Sequence, residues 1–159
     1  MKVYALRLKP NEDLKQGLKQ FAAEKNLLAG CVLTTVGSLH QANLRFANCT
    51  VPKVLRRKFE ILSLSGTLSI YGVNLRLAVA DKTGQTLGGQ VEPGCLVYTT
   101  AEIVVAELPD YTFQREIDRS TGYQELVVRS LGREFPRPRR TDRRSLRCNG
   151  INVPPDFND

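Results

Sequence analysis

The sequence predicts a single domain of the α+β class, a mostly antiparallel sheet with one main helix packed on it. Three observations lead there. Several stretches alternate apolar and polar residues with period two, most cleanly from Glu60 to Ile70, where Leu62, Leu64, Leu68 and Ile70 share one face and Ser63, Ser65, Thr67 and Ser69 the other. Only a short Tyr71-Gly72-Val73 turn separates this stretch from the next, Asn74 to Ala80, and so short a connection joins antiparallel neighbours. One stretch, from Asn11 to about Lys25, has helical spacing, with Leu14, Leu18, Phe21 and Ala22 on one side.

Composition sets the class. The chain has 159 residues, 42% hydrophobic and 25% charged, enough to bury a core without disulfides or a structural metal. No run approaches the ~20 apolar residues that span a bilayer, and Met1 to Pro10 lacks a signal-peptide core, so no membrane partner is expected. Cys31, Cys49, Cys95 and Cys148 stand singly with no C-x-x-C pair, which excludes a zinc ribbon or a thioredoxin-like motif and suits a reducing cytoplasm. Cys31 and Cys95 lie in apolar runs and are read as buried small hydrophobes.

In chain order, Val3 to Leu8 is a strand with Tyr4, Leu6 and Leu8 on one side, ended by Pro10. Asn11 is the expected helix cap, with Lys15, Lys19 and Glu24 turned to water. Gly30 to Val36 reads as a buried strand, Gly37-Ser38 as a tight bend, and His40 to Phe46 as a second strand. In that second limb Gln41, Asn43 and Arg45 share one face and His40, Ala42, Leu44 and Phe46 the other. The polar row is a pocket wall, a subunit interface or a solvated face. Gly88-Gly89 marks a bulge or a close backbone approach without the features of a phosphate loop. Leu96 to Leu108 is a β-branched strand in which Glu102 is expected at an exposed edge, and strands at Tyr111 to Ile117 and Tyr123 to Val128 close the domain.

Charge is concentrated. Between Arg133 and Arg147 seven arginines face only Glu134 and Asp142, a surplus of five within a net charge of +7. Residues 1–130 are therefore read as the domain and 131–159 as an Arg/Pro-rich basic tail. A second basic cluster, Lys53, Arg56, Arg57 and Lys58, is either a phosphate-contacting loop or a solvated one.

Several segments together resemble one known family. Tyr4-Ala5-Leu6-Arg7-Leu8, Gly30 to Thr34 with Gly37-Ser38-Leu39 and Ala42-x-Leu44-Arg45, Phe59 to Thr67, Asp81-x-x-Gly84 with Gly88-Gly89, and Gly94-Cys95 resemble, in matching order from Lys2 to Val128, the plant and prokaryote conserved (PPC) domain. The resemblance implies a central, mostly antiparallel sheet and a homotrimer. In plants the domain accompanies AT-hook DNA-binding motifs. Many prokaryotic members carry a His-x-His and a Gly-Gly-His that look like a metal site, on a fold similar to that of the zinc enzyme acetolactate decarboxylase. At the matching positions this chain has Asn74, Arg76 and Gln90, and one histidine overall, His40. Carboxamides are poor zinc ligands and arginine is none, so no metal, cofactor or catalytic residue is assigned.

Two functions follow as expectations. The first is a non-enzymatic, DNA-associated regulatory protein that uses Lys53, Arg56, Arg57, Lys58 and the tail residues Arg137, Arg139, Arg140, Arg143 and Arg144, although the Gly-Arg-Pro core of an AT-hook is absent. The alternative is a trimer, decarboxylase-like and formerly metal-dependent, that has lost its metal ligands and binds a small anion through Arg45, Asn74, Arg76 and Gln90. A guanidinium with carboxamides presents a planar fork of donors suited to a carboxylate or phosphate.

Overall fold

A computed structural model of the chain describes residues 1–132. The elements are β1 (Lys2–Leu8), α1 (Leu14–Glu24), β2 (Gly30–Arg45), β3 (Lys53–Leu55), β4 (Phe59–Ser69), β5 (Gly72–Ala80), β6 (Thr86–Val91), β7 (Leu96–Glu107), β8 (Tyr111–Ile117) and β9 (Gln124–Ser130). Seven strands form one sheet in the order β1-β7-β2-β4-β5-β6, with β3 added on β2, and every pairing is antiparallel. The α+β class and the one-helix architecture are those the periodicities predict. Among the described residues no helix is long and apolar enough to cross a membrane.

α1 forms where expected and buries Leu14, Leu18, Phe21 and Ala22. Its cap is Asp13, not Asn11: Asp13 Oδ1 accepts from Gln16 N at 2.9 Å, and Oδ2 accepts from Gly94 N. Asn11 instead takes a left-handed conformation (φ +68°), and its Oδ1 lies 2.9 Å from His40 Nε2 in a hydrogen bond. One aspartate thus starts the helix and ties it to the β6–β7 turn. The helix stripe meets Leu39, Leu44, Phe59, Leu64, Leu75, Leu77, Val79, Val97 and Ile103 in one core. A Leu buried as completely as Leu18 contributes about 2 kcal/mol of transfer free energy.

β2 differs from the sequence expectation. It does not break at Gly37-Ser38; it runs unbroken for 16 residues, with register shifts against β7 after Val32, Gly37 and Leu39. The shifts after Val32 and Leu39 each absorb one extra residue of β2, that after Gly37 absorbs two of β7, and together they bend the strand so that its far end turns to a new partner. Leu44 and Arg45 pair with Val91 and Gln90 of β6, which curls the sheet back on itself. A second correction concerns β4. A bulge between Ile61 and Ser63 reverses the alternation there, so Ile61 is buried while Leu62 is 54% exposed, and Ile70 beyond the strand end is also exposed. Glu102 is exposed, but on the interior strand β7 rather than at an edge. Among the described residues β8 and β9 pair only with each other, as a hairpin held to the body by Ser69 Oγ donating to Phe113 O (2.8 Å) and Phe113 N donating to Leu28 O (2.9 Å). Cys95 is buried as expected, and burial pushes its thiol up to about 11, whereas Cys31 is only half-buried.

Gly37 permits the bend in β2. Its φ is +150°, and a Cβ there would lie 2.2 Å from the Thr100 carbonyl oxygen. Gly37→Ala is expected to cost about 3 kcal/mol of stability, from the strained backbone and the clash with a neighbouring main chain, measured by urea denaturation. A loss under about 0.5 kcal/mol would show that the strand bends without this approach.

Candidate functional site

Side chains on cross-strand partners stand beside one another on one face of a sheet. Arg76 of β5 is the partner of Gln90 on β6, and Gln90 is the partner of Arg45 on β2. Asn74 lies two residues before Arg76, on the same face. The structure therefore brings Arg45, Asn74, Arg76 and Gln90 together, and all four line one cavity of about 600 Å³. Gly89 makes the β2–β6 approach possible, because a Cβ there would sit 2.9 Å from the Arg45 carbonyl oxygen.

Other residues join them. Lys15 and Lys19 come from α1, Arg115 from β8, Tyr71 from the β4–β5 turn and Tyr123 from just before β9. The two lysines are four apart and so share a helix face, a signal present in the sequence. They do not both simply face water: Lys15 is half-buried and its Nζ reaches Glu92 Oε2 at 2.7 Å. For Arg115 and Tyr123 no local signal exists, since the hairpin is placed by long-range hydrogen bonds.

The cavity has two electrostatic ends. At one, Glu92 stands between Lys15 and Arg45: Arg45 Nε is 3.5 Å from Glu92 Oε1, Arg45 Nη2 donates to Gln90 Oε1 at 2.6 Å, and Gln90 Nε2 donates to Glu92 Oε1 at 3.2 Å. Burial works to raise the Glu92 carboxyl, but the Lys15 ammonium and the Arg45 guanidinium outweigh it and hold the group below its ordinary value. At the other end Arg76 Nη1 donates to Asn74 Oδ1 at 2.7 Å, and Arg115 Nη2 donates to Thr67 Oγ1 at 2.7 Å. Thr67 is the cross-strand partner of Asn74, so the two arginines flank one position. Burial pushes the Arg115 guanidinium below its ordinary value, and the charge of Arg76 adds to that against the opposing pull of Glu125. Among the described residues no carboxylate forms an ion pair with either arginine.

These donors do not fit a metal. The Oδ1 of Asn74 and the Oε1 of Gln90, the atoms that would ligate a cation, both accept from guanidiniums. No group of three His, Cys, Asp or Glu side chains able to hold an ion occurs among the described residues. His40 lies outside the cavity, bonded to Asn11.

The second basic cluster is largely engaged with its own chain. Lys53 is exposed on β3, but Arg56 Nε donates to Gln41 Oε1 at 3.1 Å, and Arg57 pairs with Asp81 at 3.3 Å while lying over the Phe59 ring. Lys58 Nζ sits 4.1 Å from the Tyr98 ring centroid and 2.6 Å from its hydroxyl. Arg137, Arg139, Arg140, Arg143 and Arg144 lie outside the described residues.

Because the Glu92 carboxyl is depressed by folding, its stabilisation is present above the ordinary carboxylate range and is lost as pH falls through the folded value. Glu92→Gln is expected to be less stable than wild type at pH 7, with the gap narrowing below about pH 4 in urea titrations. A gap unchanged with pH would remove Glu92 from this role.

Comparison with known proteins follows the same residues. The model of the Plants and Prokaryotes Conserved (PCC) domain, the family the sequence resembles, matches residues 1–109. The chain is 51% identical over 143 residues to the bifunctional protein GlmU of Synechococcus sp. (strain JA-3-3Ab), a match that takes in 89% of this chain and 23% of that protein. The chain therefore spans less than a quarter of the length of the curated relatives it matches. A hypothetical protein from Salmonella enterica superposes with a TM-score of 0.80 at 41% identity, covering 82% of this chain and 94% of that one. A metal-containing protein from Archaeoglobus fulgidus superposes with a TM-score of 0.71 at 26% identity, covering 80% and 94%. The matched stretch contains every strand from β1 to β7, and with them Arg45, Asn74, Arg76 and Gln90, so the chain belongs to the Plants and Prokaryotes Conserved domain family.

Proposed function

We propose that this protein is a non-enzymatic, homotrimeric binding protein that holds a small anion, a carboxylate or a phosphate, in the cavity between β2, β5, β6, α1 and the β8–β9 hairpin. One observation carries the reading: Arg76 and Arg115 converge on a single cavity with no carboxylate paired to them among the described residues. Two like charges brought together by the fold raise its free energy, and an anion between them relieves the repulsion. Guanidiniums suit an oxoanion because their donors are planar and forked.

The trimer is supported by an apolar strip. Leu33 and Val36 of β2 and Leu62 of β4 are exposed by 51%, 65% and 54%. The register places them close together between the pairs Cys31↔Thr67 and Ser38↔Glu60. A strip of this kind on a sheet face suits burial against another subunit.

A second reading, DNA binding, rests on the surplus of five positive charges between Arg133 and Arg147. Its support lies in the basic segment rather than in the Lys53 to Lys58 cluster, whose cations mostly meet partners in their own chain.

For the anion reading, inorganic phosphate or a carboxylate from an anion panel is expected to raise the melting temperature, and Arg76→Leu to abolish that shift while leaving a trimeric mass in light scattering. No shift with any anion would refute the site, and a monomeric wild type would refute the assembly. For the DNA reading, filter binding at several salt concentrations is expected to give a steep negative dependence of log K on log salt, lost when residues 131–159 are deleted. A flat dependence rules it out.

A further inference from the structure

The cavity is much larger than a simple anion requires. At about 600 Å³ it has room for about twenty waters at ~30 Å³ each, whereas a phosphate group displaces only a few. Ligand pockets of this size hold whole metabolites. The remaining wall indicates what the rest of the ligand is.

Two tyrosines line the cavity, and neither serves the core: Tyr71 is 51% exposed and Tyr123 is 71% exposed. Both are held at the main chain. Ser69 Oγ accepts from Tyr71 N at 3.1 Å while donating to Phe113 O, so one buried hydroxyl fixes Tyr71 relative to the hairpin strand that carries Arg115. The carbonyl of Tyr123 accepts from Asp118 N at 2.9 Å, and its own amide donates to Thr121 Oγ1 at 3.3 Å, within a turn organised by the Asp118 carboxylate. Large exposed aromatic side chains carried on an anchored main chain at a cavity rim can offer stacking surfaces. Beside Tyr123 stand Gln124, a donor and acceptor, and Glu125, an acceptor. This rim can pair with the edge of a ring bearing N–H groups. The cationic floor cannot.

We infer that the anion is the phosphate of a nucleotide, held between Arg76 and Arg115 with its base stacked at the Tyr71 and Tyr123 rim and its edge facing Gln124 and Glu125. The inference rests on the anion-binding reading and adds the class of ligand. The lining accounts for the volume: a phosphate takes the end with Arg76, Arg115 and Asn74, and the remaining space toward the aromatic rim takes the sugar and base. Stacking is tolerant of base identity, so the Gln124–Glu125 edge supplies the preference among bases.

The test is calorimetric titration of the full chain with inorganic phosphate, ribose 5-phosphate, and the adenosine, guanosine, cytidine and uridine monophosphates. At least one nucleotide is expected to bind about ten-fold or more tighter than ribose 5-phosphate. Tyr71→Ala and Tyr123→Ala are expected to erase that advantage while leaving phosphate affinity within about two-fold, and Arg115→Leu to abolish binding of every probe. Both tyrosines are exposed, so the variants keep the fold, which circular dichroism checks. If phosphate and ribose 5-phosphate bind and no nucleotide binds tighter, the nucleotide inference is overturned and the anion site stands. If no probe binds, the anion site falls and the inference with it.

Discussion

The antiparallel pairing of β2 with four other strands is the constraint on which the rest of the molecule depends. Along its 16 residues β2 meets β7, β4, β3 and β6 in turn. A straight strand cannot do this, because a regular ladder keeps the same neighbours along its length. The register shifts make it possible, and Gly37 makes the sharpest of them possible by letting two main chains approach where any side chain would collide. From that bend follow the pairing of Arg45 with Gln90, the curl of the sheet, and the concave surface that becomes the cavity.

Once the cavity exists, its charges divide for a physical reason. Glu92 lies within reach of both Lys15 and Arg45, so that end is compensated from within the chain. At the hairpin end neither Arg76 nor Arg115 forms an ion pair among the described residues; Asn74 and Thr67 supply hydrogen bonds, and Glu125 acts on Arg115 from beyond ion-pair distance. An acid in contact with either guanidinium would compensate their repulsion more fully. Two cations held near each other without a contacting acid leave a local surplus of positive charge at that end.

The sequence discloses the two halves of this arrangement unequally. Asn74, Arg76, Gln90 and Arg45 could be placed together because strand alternation and short turns determine which side chains share a face. Alternation puts Leu62 on the buried face, but a bulge inverts it there, and a bulge leaves little trace in a run as regular as Leu62-Ser63-Leu64. Asn11 and Asp13 both suit a cap, and the choice was made elsewhere, by the Gly94 amide and His40. Lys15 could be assigned to the face away from the sheet, but its partner Glu92 lies 77 residues on. Arg115 lies on a strand that its sequence predicts and Tyr123 just before another, but where the hairpin docks is determined by distant residues such as Ser69, Leu28 and Thr67.

The hairpin has one further consequence. The stretch that matches the family ends at residue 109, and β8 begins at Tyr111. The wall with Arg45, Asn74, Arg76 and Gln90 lies within the stretch that the family model matches, while Arg115, Tyr123, Gln124 and Glu125 follow it in the chain, on a hairpin of their own. Because, among the described residues, β8 and β9 pair only with each other, their exposed positions can change without disturbing the seven-stranded sheet. The two walls of the cavity thus answer to different constraints, one to the register of the sheet and the other to the anchorage of a two-stranded hairpin at Ser69 and Leu28.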